Sequence, residues 1–127
     1  MNFEDAQELV DSCIEQIAVT SQGLAEASVR SANFLIGQAI LTSFLKEVDE
    51  ELAKLGVLRD ATFSDTISKV EGKNVTEKKI KVAKDVEYSN IRQQYEELEA
   101  KREWVKGHIK ILENAHILYR SLSREGG

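Results

Sequence analysis

Two constellations in this 127-residue chain have residue types that could do chemistry. The first is a lysine cluster: Lys69, Lys73, Lys78, Lys79, Lys81 and Lys84. Between residues 69 and 84 these six lysines face only two glutamates, Glu71 and Glu77, a local excess of +4 in a chain of net charge -5. Lys78, Lys81 and Lys84 follow at three-residue steps and share one helix face. Such a face suits phosphate groups, because each phosphate it neutralises releases counterions. A solvated, lysine-rich helix start with no partner explains the same residues. Lysines at a helix start oppose its dipole by up to ~1 kcal/mol, which argues for a use. Only Tyr88 lies near enough in sequence to offer a base a stacking surface.

The second constellation is Glu113-x-x-His116, half of the motif that carboxylate-bridged di-metal bundles use. Such a centre needs a second copy of the motif and two further glutamates, and the chain has two histidines in all. His108 stands eight residues from His116, about 12 Å along a helix, too far to share a metal. His116 instead reads as a polar seam residue that fixes register and partner number. Cys13 reads as a small buried apolar residue. There is no Ser-His-Asp set, CxxC pair, phosphate loop or HExxH motif. A catalytic reading has no residues to stand on, and no cofactor or metal is expected.

The elements that must position these residues are helices. The chain has no proline, where average usage supplies about six, so nothing interrupts long helices. Phe3, Ala6, Leu9, Val10, Cys13, Ile14 and Ile17 predict a short helix over residues 1–20. Thr20-Ser21-Gln22-Gly23 predicts a boundary. A long helix is expected over 23–70. Ala32, Leu35, Ile36, Ala39 and Ile40 open its apolar face, and Leu41, Leu45, Val48, Leu52 and Leu55 continue it at heptad spacing. Ala25, Ser28, Ser31, Ala32, Gly37 and Ala39 would allow close helix approach. Beyond Gly56 the pattern shifts phase, which predicts a stutter or break. Residues 71–76 read as a turn, with Gly72 as C-cap and Asn74 or Thr76 as N-cap. A second long helix is expected over 77–123, with a frayed end at Gly126-Gly127.

That second helix carries a heptad seam: Tyr88, Ile91, Tyr95, Leu98, Arg102, Val105, Ile109, Leu112, His116 and Tyr119. The Arg102 stem is expected to pack while its head snorkels out, with Glu47, Glu50 or Glu51 as alternative partners. A second seam, Trp104, Ile111, Ala115, Leu118 and Leu122, widens the apolar face of the C-terminal half. That face exceeds what one partner helix covers. The helix over 1–20 could supply one further partner and copies of the chain others; oligomerisation is the favoured expectation, with an interface of Trp104, Val105, Ile109, Ile111, Leu112, His116, Leu118, Tyr119 and Leu122.

One cysteine excludes an intrachain disulfide, and a reducing cytosol is the expected compartment. The acidic start, Met1-Asn2-Phe3-Glu4-Asp5, shows no secretory signal. No run reaches the ~18 apolar residues of a membrane span, so no membrane is expected among the partners.

From Lys73-Asn74-Val75-Thr76-Glu77-Lys78-Lys79-Ile80-Lys81, through Asp85-Val86-Glu87-Tyr88, to Glu113-Asn114-Ala115-His116-Ile117-Leu118-Tyr119-Arg120-Ser121-Leu122-Ser123-Arg124, the chain resembles small helical proteins of bacteriophage recombination, the UvsY-type mediators. The resemblance covers roughly residues 25–124 and rests on layout: a long helix, a lysine-rich turn and a second long helix with an arginine-bearing end. It implies a ring-like homo-oligomer that binds single-stranded DNA. It also implies help in loading a RecA-like recombinase in place of a single-strand-binding protein, in the host cytoplasm. The turn lysines match the family's basic region. The overall acidity and the acidic first segment depart from it.

The expected fold is thus all-α, two long antiparallel helices plus a short N-terminal helix, forming a self-associating helical bundle. The expected function is a non-enzymatic recombination accessory protein that binds single-stranded DNA. The alternative is a coiled-coil structural, adaptor or inhibitor protein that acts only through protein contacts.

Overall fold

The computed structural model describes residues 1–18 and 24–125. The expected boundary at Thr20–Gly23 and the expected frayed end at Gly126-Gly127 lie outside the described residues. Four helices are present and no strand among the described residues: α1 (Phe3–Ala18), α2 (Leu24–Lys69), α3 (Val75–Lys84) and α4 (Val86–Glu125). No helix described is long and apolar enough to cross a membrane. The chain forms two compact units. One comprises Met1–Glu47 with Arg102–Gly127, the other Val48–Lys101.

The first unit is a three-helix bundle. Asn2 and Asp5 open α1 reciprocally: Asn2 Oδ1 accepts the Asp5 N–H at 2.8 Å, and Asp5 Oδ2 accepts the Asn2 N–H at 3.2 Å. This satisfies donors that a helix start leaves unpaired. The last turn of α1 has no basic residue of its own. Its negative end is met instead by the buried Arg30 of α2, which donates to the Gln16 carbonyl at 3.0 Å and pairs with Glu26. The Tyr119 hydroxyl reaches the Gln16 and Ile17 carbonyls at 3.5 and 3.4 Å. The Phe3 ring meets Trp104 edge-on at 5.0 Å. These contacts set α1 parallel to α4 and antiparallel to this part of α2.

The core between the three helices holds Ala6, Val10, Cys13, Phe34, Leu41, Val105, Leu112, Ala115 and Tyr119. Its tightest point is Gly37. A Cβ there would lie 3.2 Å from Cys13 Sγ and 3.2 Å from Leu112 Cδ1, so the missing side chain is what lets three helices converge. Phe34 and Tyr119 pack edge-on at 5.2 Å.

The second unit is thinner, and only Val48 and Val82 are buried in it. Phe63 meets Tyr88 edge-on at 5.6 Å, and the Arg59 guanidinium lies 4.2 Å over the Tyr95 ring. These pairs set α2 and α4 antiparallel here too.

Three expectations need correction. The stutter or break expected beyond Gly56 is not a break, and α2 runs unbroken to Lys69. Gly56 lies against Tyr95, 3.4 Å from a notional Cβ to Cε2, so it makes room for a ring and does not break the helix. The helix expected over 77–123 is two helices, parted at Asp85. Asp85 is extended (φ -65, ψ 132), and its carboxylate accepts the Tyr88 N–H at 3.0 Å, so it is the N-cap of α4. Finally, Leu35, Ile36 and Ile40 do not open the inward face of α2. They point outward, while Phe34, Leu41 and Phe44 fill the core.

Candidate nucleic-acid interface

All six lysines belong to the second unit, at the end of α2, in the turn and along α3. The turn is built by side chain to backbone bonding. Asn74 is the N-cap of α3, in extended conformation, and its Oδ1 accepts the Glu77 N–H at 2.8 Å. Glu77 reaches back and accepts the Lys73 N–H at 3.2 Å. Gly72 is not a left-handed C-cap, because no glycine described has positive φ. Its role is space: a Cβ there would come 2.9 Å from Lys78 Cγ. The Lys78 stem is thereby laid across the turn and is half-buried.

The lysines divide into two groups. Lys69 Nζ bonds Asp65 at 2.9 Å, and the hydrogen bond holds the ammonium above its ordinary pKa. Lys81 Nζ donates to the Glu71 carbonyl and lies 3.8 Å from Glu77. Lys69 is thus engaged within α2, and Lys81 ties α3 to the turn. Lys73, Lys79 and Lys84 are exposed and, with Lys78, make no ion pair among the described residues.

Since α3 stops at Lys84, Lys81 and Lys84 occupy its last turn, where cations favour the helix dipole. The penalty that argued for a use applies at most to Lys78 and Lys79. The tip has a further character that the charge count hid: Val75, Ile80 and Val86 are all more than half exposed. Only Ile80 signalled this in the sequence, since it lies two residues from the fully buried Val82 and so on the other side of α3.

The residues expected at an oligomer interface are split by the first unit. Val105, Leu112 and Tyr119 are no more than 6% exposed, and they build the subunit's own core, which leaves a second copy nothing to touch. Trp104, Ile109 and His116 are half-buried, while Ile111, Leu118 and Leu122 remain exposed. The seam is thus spent largely within the chain itself, because α1 and α2 both pack against this half of α4.

His116 is held by Ser31. Its Nδ1 lies 2.9 Å from the Ser31 carbonyl and 3.1 Å from Ser31 Oγ, so Nδ1 carries the proton. Beside it a cleft of about 260 Å³ is lined by Ser28, Ser31, Leu35, His116, Arg120 and Ser123. Glu113 does not line it. The His108 ring meets Trp104 at 4.2 Å, tilted by 49°, and its buried Nδ1 has no hydrogen-bond partner among the described residues. No group of three or more candidate metal ligands occurs among the described residues. Arg102 pairs with its neighbour Glu103 at 3.1 Å. The Cys13 thiol is buried, and desolvation pushes its pKa up.

No protein-family model, no curated protein and no solved structure matches this chain.

Proposed function

We propose that this protein is a non-enzymatic accessory factor of phage-type recombination or replication, acting in the host cytoplasm. Its lysine tip would contact the phosphates of single-stranded DNA. By holding the strand in a self-associated assembly it would aid loading of a RecA-like recombinase where a single-strand-binding protein had been. The observation that carries the reading is local. Lys73, Lys79 and Lys84 are exposed and unpaired around one short helix of an acidic chain. A surface of that kind attracts a polyanion without regard to base sequence.

A fluorescent single-stranded oligonucleotide, titrated at several salt concentrations, tests this. Binding that weakens linearly in log-log salt, and is lost in Lys79→Glu/Lys84→Glu, is expected. Undetectable binding at low salt, or an unchanged double variant, sinks the DNA reading.

A second reading has its own support. Val75, Ile80 and Val86 place exposed apolar surface among the lysines, which suits an acidic, apolar protein segment better than a phosphate backbone. In that case the chain is an adaptor or inhibitor. Ile80→Ser would abolish partner capture and leave oligonucleotide binding untouched.

A further inference from the structure

The middle of α2 has no charged residue from Ser31 to Leu45. A helix that is apolar all round is ordinarily buried all round. Here one face fills the first unit's core with Phe34, Leu41 and Phe44, yet on the opposite face Val29 is 60% exposed, Leu35 49%, Ile36 58% and Ile40 36%. Val29, Ala32, Ile36, Ala39 and Ser43 follow at steps of 3, 4, 3 and 4, a second heptad seam that is exposed along its length, with Ala32 at its edge lining the cleft beside His116.

We infer that this outer face of α2 packs against the same face of a second copy of the chain, antiparallel and two-fold about Ile36. Three features select that occupant. The seam carries no charge, so it offers nothing for an ionic partner to recognise. It is also matched to itself. With Ile36 on the two-fold axis, Ala32 comes level with Ile40 of the second copy and Val29 level with its Ser43. The two Ile36 side chains then meet each other on the axis, while Val29 and Ile40 each meet a small residue, and both copies make the same contacts, as an isologous interface requires. Ala32 and Ala39, small and exposed, let the two helix backbones come close. Finally, the area is of the right order. At roughly 100 Å² for each large side chain, Val29, Leu35, Ile36 and Ile40 alone supply about half of the ~800 Å² that each partner gives to a stable interface. Ser28, Ala32, Ala39, Ser43 and the rim add to it.

This surface deepens only the self-association part of the proposed function, and its test uses no DNA, so the two readings fail separately. Sedimentation equilibrium of the full chain is expected to give a dimer or a multiple of one. Ile36→Glu is expected to lower that mass at least twofold with an unchanged helical circular-dichroism signal, because Ile36 lies outside the subunit core. A monomeric wild type, or Ile36→Glu at the wild-type mass, overturns the proposal. A second variant guards against misfolding of the first. Cys13 is buried, so in Ile36→Cys only the new thiol is accessible. Mild oxidation should link most of that variant into disulfide dimers, while Ile117→Cys, exposed on α4, stays unlinked. Failure of Ile36→Cys to cross-link overturns the pairing about residue 36.

Discussion

His116 Nδ1 donates to the Ser31 carbonyl at 2.9 Å, and the Ser31 hydroxyl donates to the His116 carbonyl at 3.2 Å. Two residues 85 positions apart thus fix the level at which α4 meets α2 in the first unit. Ser31→Ala removes the hydroxyl's share and should lower unfolding free energy by ~1 kcal/mol. In a double-mutant cycle with His116→Ala, urea unfolding should report a coupling of roughly 0.5 kcal/mol or more. Additivity would show that the pair does not act together.

The glycines of the first unit should respond in opposite directions. Nothing lies within 4 Å of a Cβ built on Gly107, so Gly107→Ala should stabilise the helix by ~0.5–1 kcal/mol. Gly37→Val meets Cys13 and Leu112 and should cost ~1–3 kcal/mol by overpacking. Thermal melts of the two variants give the comparison directly.

Leu112 is 1% exposed and touches the tightest point of the three-helix core. Leu112→Ala should cost ~2–5 kcal/mol, as large-to-small core changes do. Ile117, five residues on and 56% exposed, should tolerate alanine within about 0.5 kcal/mol. Equal losses at both sites would mean that α4 is rotated from the orientation described.

Cys13 gives a signed pH dependence. Burial raises the folded-state thiol pKa, so the folded chain holds its proton after the unfolded chain has lost it. The associated stability is fully present below the unfolded thiol value, ~8.5, and declines as pH rises toward the folded value. Cys13→Ala should remove that part of the slope in urea melts between pH 8 and 10. A colorimetric thiol reagent should react slowly with the native chain and rapidly in denaturant.

The lysine tip should show a division of labour. Lys79→Ala and Lys84→Ala should each lower the salt slope of single-stranded DNA binding by ~0.7 and leave the melting temperature alone. Lys69→Ala, whose ammonium is engaged by Asp65, should change that slope less. Equal effects from all three would show that the Asp65 pair opens on binding.

Much of the fold was legible before any coordinates. Absence of proline and an apolar period near 3.6 dictate helices, and Asn74 and Thr76 both mark a helix start by type, of which the structure uses Asn74, whose side chain accepts from the N–H three residues on. The lysine excess is likewise a property of the sequence. Asp85 was legible in principle, because aspartate is as good an N-cap as asparagine, but no glycine or proline between Gly72 and Gly107 marks the break.

What the sequence could not decide is which apolar stripe faces which neighbour. Leu35, Ile36 and Phe34 are equally apolar, and a helix presents all three at once. Only the convergence of α1, α2 and α4 at Gly37 chooses Phe34 for the core and leaves Leu35 and Ile36 outside. The same holds for charge. Composition places six lysines within sixteen positions. Tertiary contacts then engage Lys69 with Asp65 and Lys81 with the Glu71 carbonyl, and leave Lys73, Lys79 and Lys84 exposed. Helical periodicity is a one-dimensional property that any window of residues carries. The choice of partner for each face depends on side chains distant in sequence, which meet only when the chain has packed.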